Sequence, residues 1–251
     1  MTADLLNHPL IAARYFFPRP DSVAAPFWVE AGDARLACHY HRPHPQGFTL
    51  VHFHGNGEVA ADWSEGFPEV MADLGLNCLV AEFRGYGGST SRPLLGAMLD
   101  DVAALIRAAD TPPERLILFG RSVGSLFAVH GVSLFPDIAG LILESAVADV
   151  LERLLLRLSP GELGVSPQQL AAAVAERLDQ RSKMASYPGH TLVMHARGDS
   201  LVDVSHGERL HAWAGGPKRL RIFARGDHNN LMFVNQREYF GEIADFVAQL
   251  S

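Results

Sequence analysis

The sequence is poor in cysteine, has no excess of positive charge and contains no long apolar run. Its only cysteines in 251 residues are Cys38 and Cys78. Both sit inside apolar, strand-like stretches, so they read as buried free thiols and not as a disulfide framework. The formal charge of −7 argues against a nucleic-acid partner, which demands a basic face. No block of like charges marks an interaction tail. No run approaches the roughly 18 apolar residues that a spanning helix needs, which excludes stable membrane insertion. The opening stretch, MTADLLNHPLIAARYFFPRP, lacks a basic segment followed by a sustained apolar one, so no leader is expected. Repeats and low-complexity segments are absent too. These absences leave a soluble cytoplasmic protein with a small-molecule partner as the expectation.

What is present is apolar material in short runs. Hydrophobic residues make up 48% of the chain, enough for a sizeable core. PFWVEA and RLACHYH read as two strands joined by a hairpin at Gly32-Asp33. FTLVHFH, NCLVAEF, RLILF, AGLILES, HTLVMHA and KRLRIF read as further strands. Helical patterns separate them, including a stretch to about Leu74, one over roughly 97–109, and one to about Phe135. A closing helix starts near Asn235. Between AGLILES and HTLVMHA the pattern is helical only. Leu151, Leu154, Leu155 and Leu158 share one face, while Leu170, Val174 and Leu178 share another. Pro160-Gly161 and Ser166-Pro167 separate the two helices. Ser205 with Glu208 reads as a capping box. Strand–helix alternation of this kind predicts an α/β fold with a mostly parallel central sheet flanked by helices. The expected organisation is a single domain over residues 1–251, with a small helical insertion at about 149–185.

The chemistry centres on LILFGRSVGSLFAVHG, residues 116–131, which begins as a strand and ends as a helix. Ser122 stands at the change, between Gly120 and Gly124. A serine hydroxyl is a weak nucleophile at neutral pH and needs a base to take its proton. That base, a histidine, needs a carboxylate to fix its tautomer. A tight strand-to-helix turn would lift the serine above the sheet, and the glycines would let the turn close. An acid and a histidine should then follow, each just beyond a strand. HTLVMHARGD runs into Asp199, and KRLRIFARGDHNN runs into His228, in the order serine, acid, histidine. An oxyanion hole would need two backbone N–H groups. Val123, directly after the serine, supplies one, and Asn56 in the loop HFHGNGE supplies the other.

The segments HGNGE, FRGYGGS, GRSVGS, HARGDSLVD and GDHNN occur in the order and spacing of the α/β-hydrolase superfamily, which the chain resembles over nearly its whole length. It looks most like the alpha/beta hydrolase domain serine hydrolases with a short cap. The resemblance implies a nucleophile at Ser122, an acid at Asp199 and a base at His228, with the helical insertion as the cap. The expected reaction is acyl transfer to water without a cofactor, on an ester first, since its leaving group departs more readily than an amine, and on an amide or thioester otherwise. Arg121 departs from the commonest pattern, being a large charged neighbour for the serine, and the insertion is longer than in minimal members.

Other readings compete for some of these residues. GNGEVA, Gly55 to Ala60, satisfies a dinucleotide-binding fingerprint, with Glu82 where a ribose-binding acid would stand. That reading leaves the serine, Asp199 and His228 unexplained. Paired histidines, His39 with His41 and His52 with His54, invite a metal site, but a binuclear site would normally add an Asp-His pair nearby, and none stands close to them in the sequence. His39 and His41 are expected as partly exposed edge residues, and His54 as a residue ordering the oxyanion loop; no metal is expected. A non-catalytic scaffold would normally lack one of the three residues. Asp203 rivals Asp199 as the acid, although it can instead favour the N-terminus of the helix beginning at Ser205.

Overall fold

The computed structural model describes residues 5–250, so the first four residues of the stretch read for a leader lie outside it. Eight strands form one sheet among the described residues: β1 (Phe27–Ala31), β2 (Ala34–His41), β3 (Thr49–Phe53), β4 (Asn77–Ala81), β5 (Leu116–Arg121), β6 (Gly140–Glu144), β7 (His190–Ala196) and β8 (Lys218–Phe223). Their order across the sheet is β1-β2-β4-β3-β5-β6-β7-β8. β2 is antiparallel to both its neighbours, and every other pair is parallel. The β1–β2 hairpin turns at Gly32-Asp33 with Ala31 opposite Ala34. Gly32, at φ +60°, takes the first turn position, where a glycine avoids the left-handed penalty. His39 and His41 are half-buried and pair with β4 beyond the point where β1 ends. One side of their strand is therefore open.

Ten helices flank the sheet among the described residues: α1 (Pro9–Tyr15), α2 (Phe67–Asp73), α3 (Leu95–Ala108), α4 (Gly124–Leu134), α5 (Val150–Leu155), α6 (Pro167–Leu178), α7 (Gln180–Ser186), α8 (Ser205–Trp213), α9 (Leu231–Val234) and α10 (Gln236–Ala248). β3, β4, β5 and β6 are buried along their whole lengths, which is why they read as continuous apolar runs. Alternate strand residues feed opposite cores, as the two-residue period requires. Val51, Leu79, Leu118 and Leu141 join Leu99, Val102 and Phe127 on one face. Leu50, Val80, Ile117 and Ile142 join Met71, Tyr239 and Ile243 on the other. Among the described residues no helix is long and apolar enough to cross a membrane.

Three expectations need correction. The stretch after β3 is broken, with a 3-10 turn at Ala60–Trp63 before the short α2. The helix at Ser205 carries no capping box: its cap position is Val204, which offers no side-chain bond, and Ser205 is already helical. Asp203 accepts the Ser205 N–H at 3.0 Å instead. The helical segment between β6 and β7 also holds more than two helices: α5, a 3-10 turn at Pro160–Leu163, α6 and α7. Ser166-Pro167 acts there as a start and not merely as a break. Ser166 Oγ accepts the Gln169 N–H at 3.2 Å, and the Gln169 side chain accepts the Ser166 N–H at 2.7 Å.

Helix α1 had no counterpart in the sequence reading. It is capped by His8, whose ring accepts the Leu10 N–H at 3.2 Å, and has proline at its first position. It also secures the segment between β6 and β7. The Tyr15 hydroxyl donates to the carbonyls of Arg153 and Leu154 at 2.6 and 2.5 Å. Arg14 and Arg157 each donate to the other's carbonyl, at 2.7 and 2.9 Å.

Candidate active site

The strand-to-helix change at Ser122 has a specific geometry. β5 ends at Arg121 and α4 begins at Gly124, so two residues make the turn. Ser122 adopts φ +51°, a left-handed conformation that costs a non-glycine residue about 1–2 kcal/mol. Its N–H donates to the Glu144 carbonyl at 2.9 Å, and its carbonyl accepts the Ser125 N–H at 3.0 Å and the Ser125 hydroxyl at 2.6 Å. Both flanking glycines are required by close approach. A Cβ at Gly120 would come within 2.6 Å of the Ser125 Cα, and one at Gly124 would collide with the carbonyl of Phe53 at the end of β3.

Ser122, His228 and Asp199 form one hydrogen-bonded chain. His228 Nε2 lies 2.9 Å from Ser122 Oγ, and His228 Nδ1 lies 2.8 and 3.0 Å from the two Asp199 oxygens. Asp199 stands three residues past β7 and His228 five past β8. Asp199 Oδ1 also accepts the N–H groups of Leu201 and Val202 at 3.0 and 2.8 Å. Burial alone would raise its pKa. Hydrogen bonds from His195 and His228 and from the Val202 N–H outweigh that and hold the carboxyl well below the usual range. His195 was not singled out in the sequence. Its Nε2 lies 3.3 Å from Asp199 Oδ2, and its position near the end of β7, four residues before Asp199, was the available signal. Asp203 is exposed and bonded to Ser205, away from this chain.

The loop after β3 is tied from several sides. His54 is fully buried and bridges the Gly55 carbonyl at 2.8 Å and Glu82 at 2.9 Å. Burial opposes its charge, but Glu82 prevails and raises its pKa. Glu82 also accepts the Ala60 and Phe83 N–H groups, and the Gly55 N–H is taken by Glu58 at 2.7 Å. A fingerprint glycine and the candidate ribose acid are thus both committed inside the protein. The Asn56 side chain is committed as well: Nδ2 donates to the Tyr15 carbonyl, while Oδ1 accepts from Tyr86 at 2.9 Å and from the Phe17 N–H at 3.1 Å. His52 is enclosed by Trp63, Phe67 and Phe119, and burial depresses its pKa.

Arg121 is buried beneath this loop. Its Nη1 pairs with Glu58, Nη2 donates to the His228 carbonyl at 2.7 Å, and Nε lies 3.4 Å from Glu144. Glu144 in turn accepts from Tyr239 at 2.6 Å. A cavity of about 330 Å³ opens over Ser122, lined also by Asn56, Val123 and His228. Its apolar wall includes Ile11 and Phe16 near α1, with Val150 and Leu154 from α5. Of the leucines on the predicted α5 face, Leu154 lines the cavity, Leu158 is buried in the core, Leu151 is half-buried and Leu155 is exposed. A larger cavity of about 450 Å³ lies beside Arg121 and Asn229, without Ser122 in its lining.

The family model for serine aminopeptidase, S33, matches residues 44–169, just over half of the chain. The chain belongs to this family, within the α/β-hydrolase superfamily. The uncharacterized protein YfhR of Escherichia coli O157:H7 is 29% identical over 188 residues, covering 72% of this chain and 62% of that protein. The chain thus spans less than two thirds of that relative. The human alpha/beta hydrolase domain-containing protein 17B is 24% identical over 220 residues, covering 86% of this chain and 72% of its own length. The structure of Est1E from Butyrivibrio proteoclasticus, with ferulic acid bound, shares the fold with a TM-score of 0.71 at 15% identity. It covers 88% of this chain and 99% of that one.

Proposed function

We propose that this hydrolase cleaves carboxylic esters through a covalent acyl intermediate on Ser122. The observation that carries the reading is the continuous hydrogen-bonded chain from Ser122 Oγ through His228 to Asp199. Asp199, kept ionised, accepts Nδ1–H and leaves Nε2 free to accept the serine proton. Ser122 Oγ attacks the ester carbonyl as His228 takes its proton. The developing oxyanion lies against the backbone N–H groups of Val123 and Asn56. The Asn56 side chain is already engaged, so its main chain is the donor. His228 then protonates the departing alcohol. Water, deprotonated by His228, hydrolyses the acyl-serine and restores the starting state. The segment of 149–185 serves as a cap over this cavity, within one domain.

The test is covalent labelling by a fluorophosphonate, followed by hydrolysis of a series of 4-nitrophenyl esters. Labelling at Ser122 with ester turnover supports the reading. A protein that is folded but neither labelled nor active would overturn it. The family name, serine aminopeptidase, supports amide cleavage as the second reading. A matching series of amino-acid 4-nitroanilides distinguishes the two, because an amine leaves less readily than an alcohol.

A further inference from the structure

Apart from His228, the ionisable side chains lining the cavity over Ser122 are arginines and a tyrosine, Tyr15. The cavity over the serine is lined by Arg121, Arg153 and Arg157, with no aspartate or glutamate in its lining. This occurs in a chain whose net charge is −7. The neighbouring cavity beside Arg121 has the opposite character, with Glu58, Asp62, Glu65 and Glu144 in its wall.

The three arginines differ in what balances them. Arg121 is neutralised by Glu58 and Glu144. Arg157 is held in place without being neutralised. It donates to the Arg14 carbonyl at 2.9 Å, and its guanidinium lies 5.6 Å from the Tyr15 ring centre and 5.4 Å from that of Phe17. Ring faces and a carbonyl orient a cation but leave its charge available. Arg153 is half-buried, and neither its side chain nor that of Arg157 has a carboxylate partner among the described residues. The two stand one helical turn apart, at and just beyond α5, the helix that contributes Val150 and Leu154 to the cavity wall. Chain buried against Leu154 would therefore pass close to two uncompensated cations.

We infer that the substrate is an amphipathic ester, whose half lying under α5 carries an anionic group, a carboxylate or phosphate, that Arg153 and Arg157 recognise. The inference rests on the proposed ester hydrolysis for its setting, but not for its charge argument. Cations at a cavity mouth also draw anions in from solution, so the preference should weaken as salt rises.

Two ester pairs of matched shape test it, one for each half of the substrate. One pair is 4-nitrophenyl hexanoate against the 4-nitrophenyl monoester of adipic acid. The other is the butyrate ester of 4-hydroxybenzamide against that of 4-hydroxybenzoate. In at least one pair the anionic member should have the higher kcat/KM, by about fivefold, the range of an exposed ion pair. The ratio should fall to one or below in the doubly substituted Arg153→Gln, Arg157→Gln protein. Calorimetric titration of Ser122→Ala protein with the same compounds reads the charge preference without turnover. Loss of hydrolysis together with a preserved binding preference would sink the esterase reading alone. Equal binding of both members of both pairs, or a preference unaffected by the arginine substitutions, overturns the inference.

Discussion

Arg121 donates to the carbonyl oxygen of His228 at 2.7 Å while pairing with Glu58 through its other terminal nitrogen. Glu58 in turn takes the Gly55 N–H at 2.7 Å. One buried guanidinium therefore joins the loop carrying the proposed base to the loop carrying the proposed oxyanion donor. Gly55 is part of the same joint, since a Cβ there would collide with the Arg121 nitrogen and come within 2.9 Å of the Glu58 carboxylate.

Glu58→Gln keeps the shape of this joint and removes its charge. Loosening the two loops relative to each other should lower kcat about tenfold with a smaller change in KM, because misplacement acts on the transition state. Steady-state kinetics on a folded variant checks this, and an unchanged kcat would dissolve the link. Arg121→Met leaves the buried Glu144 and the half-buried Glu58 without their cation. It should cost about 3–5 kcal/mol in denaturant unfolding.

Ser122→Ala should fold normally and lose about three or more orders of magnitude in ester hydrolysis, since the proposed three-residue unit fails as a whole. Retention of a tenth of the activity would remove Ser122 from the chemistry.

Asp199→Asn and Asp203→Asn should rank far apart. The first removes the carboxylate that fixes the His228 tautomer and should lower kcat by about four orders of magnitude. The second weakens an exposed bond at the start of α8 and should leave kcat near that of the native protein, with only a slight loss of stability. The reverse ranking in kcat would reassign the acid to Asp203.

Acid should destabilise the fold partly through His130. Burial, reinforced by Lys183 and Arg177, lowers its pKa to about 4, and the Lys183 ammonium lies 2.9 Å from its ring. The unfolded chain, with an ordinary histidine, binds the proton more readily. The stability due to a neutral His130 is thus complete above about pH 6.5 and is lost as the pH falls toward 4. Thermal melts across this window should fall more steeply for the native protein than for His130→Gln. Parallel curves would show that His130 does not contribute to the slope.

The middle of the sheet was legible because β3 to β6 are buried on both faces, so LILFGR and GLILE stand out as apolar runs in any context. Ser122, Asp199 and His228 were legible as candidates for a related reason: each lies within five residues of the end of a strand. The clamp at Arg121 was not. Its partners Glu58, Glu144 and the His228 carbonyl lie far apart in sequence, and only the sheet order brings them together. Helix α1 was missed because its seven residues include one fully buried side chain, Ile11, too few for a periodic signal. The expected capping box at Ser205 failed because the helix begins one residue too early. Asp203, upstream of the helix, takes the amide that the box would have served.

The left-handed backbone at Ser122 sets two demands against each other. Alanine and glycine both remove the hydroxyl, but only glycine adopts φ +51° without steric cost. Glycine at 122 should therefore melt above alanine, even though it leaves the unfolded chain more freedom. Of these two inactive forms, glycine is the better choice for trapping an uncleaved substrate. A library sorted on heat resistance alone would likewise rank glycine above alanine at this position, while every member kept for that reason had lost its chemistry.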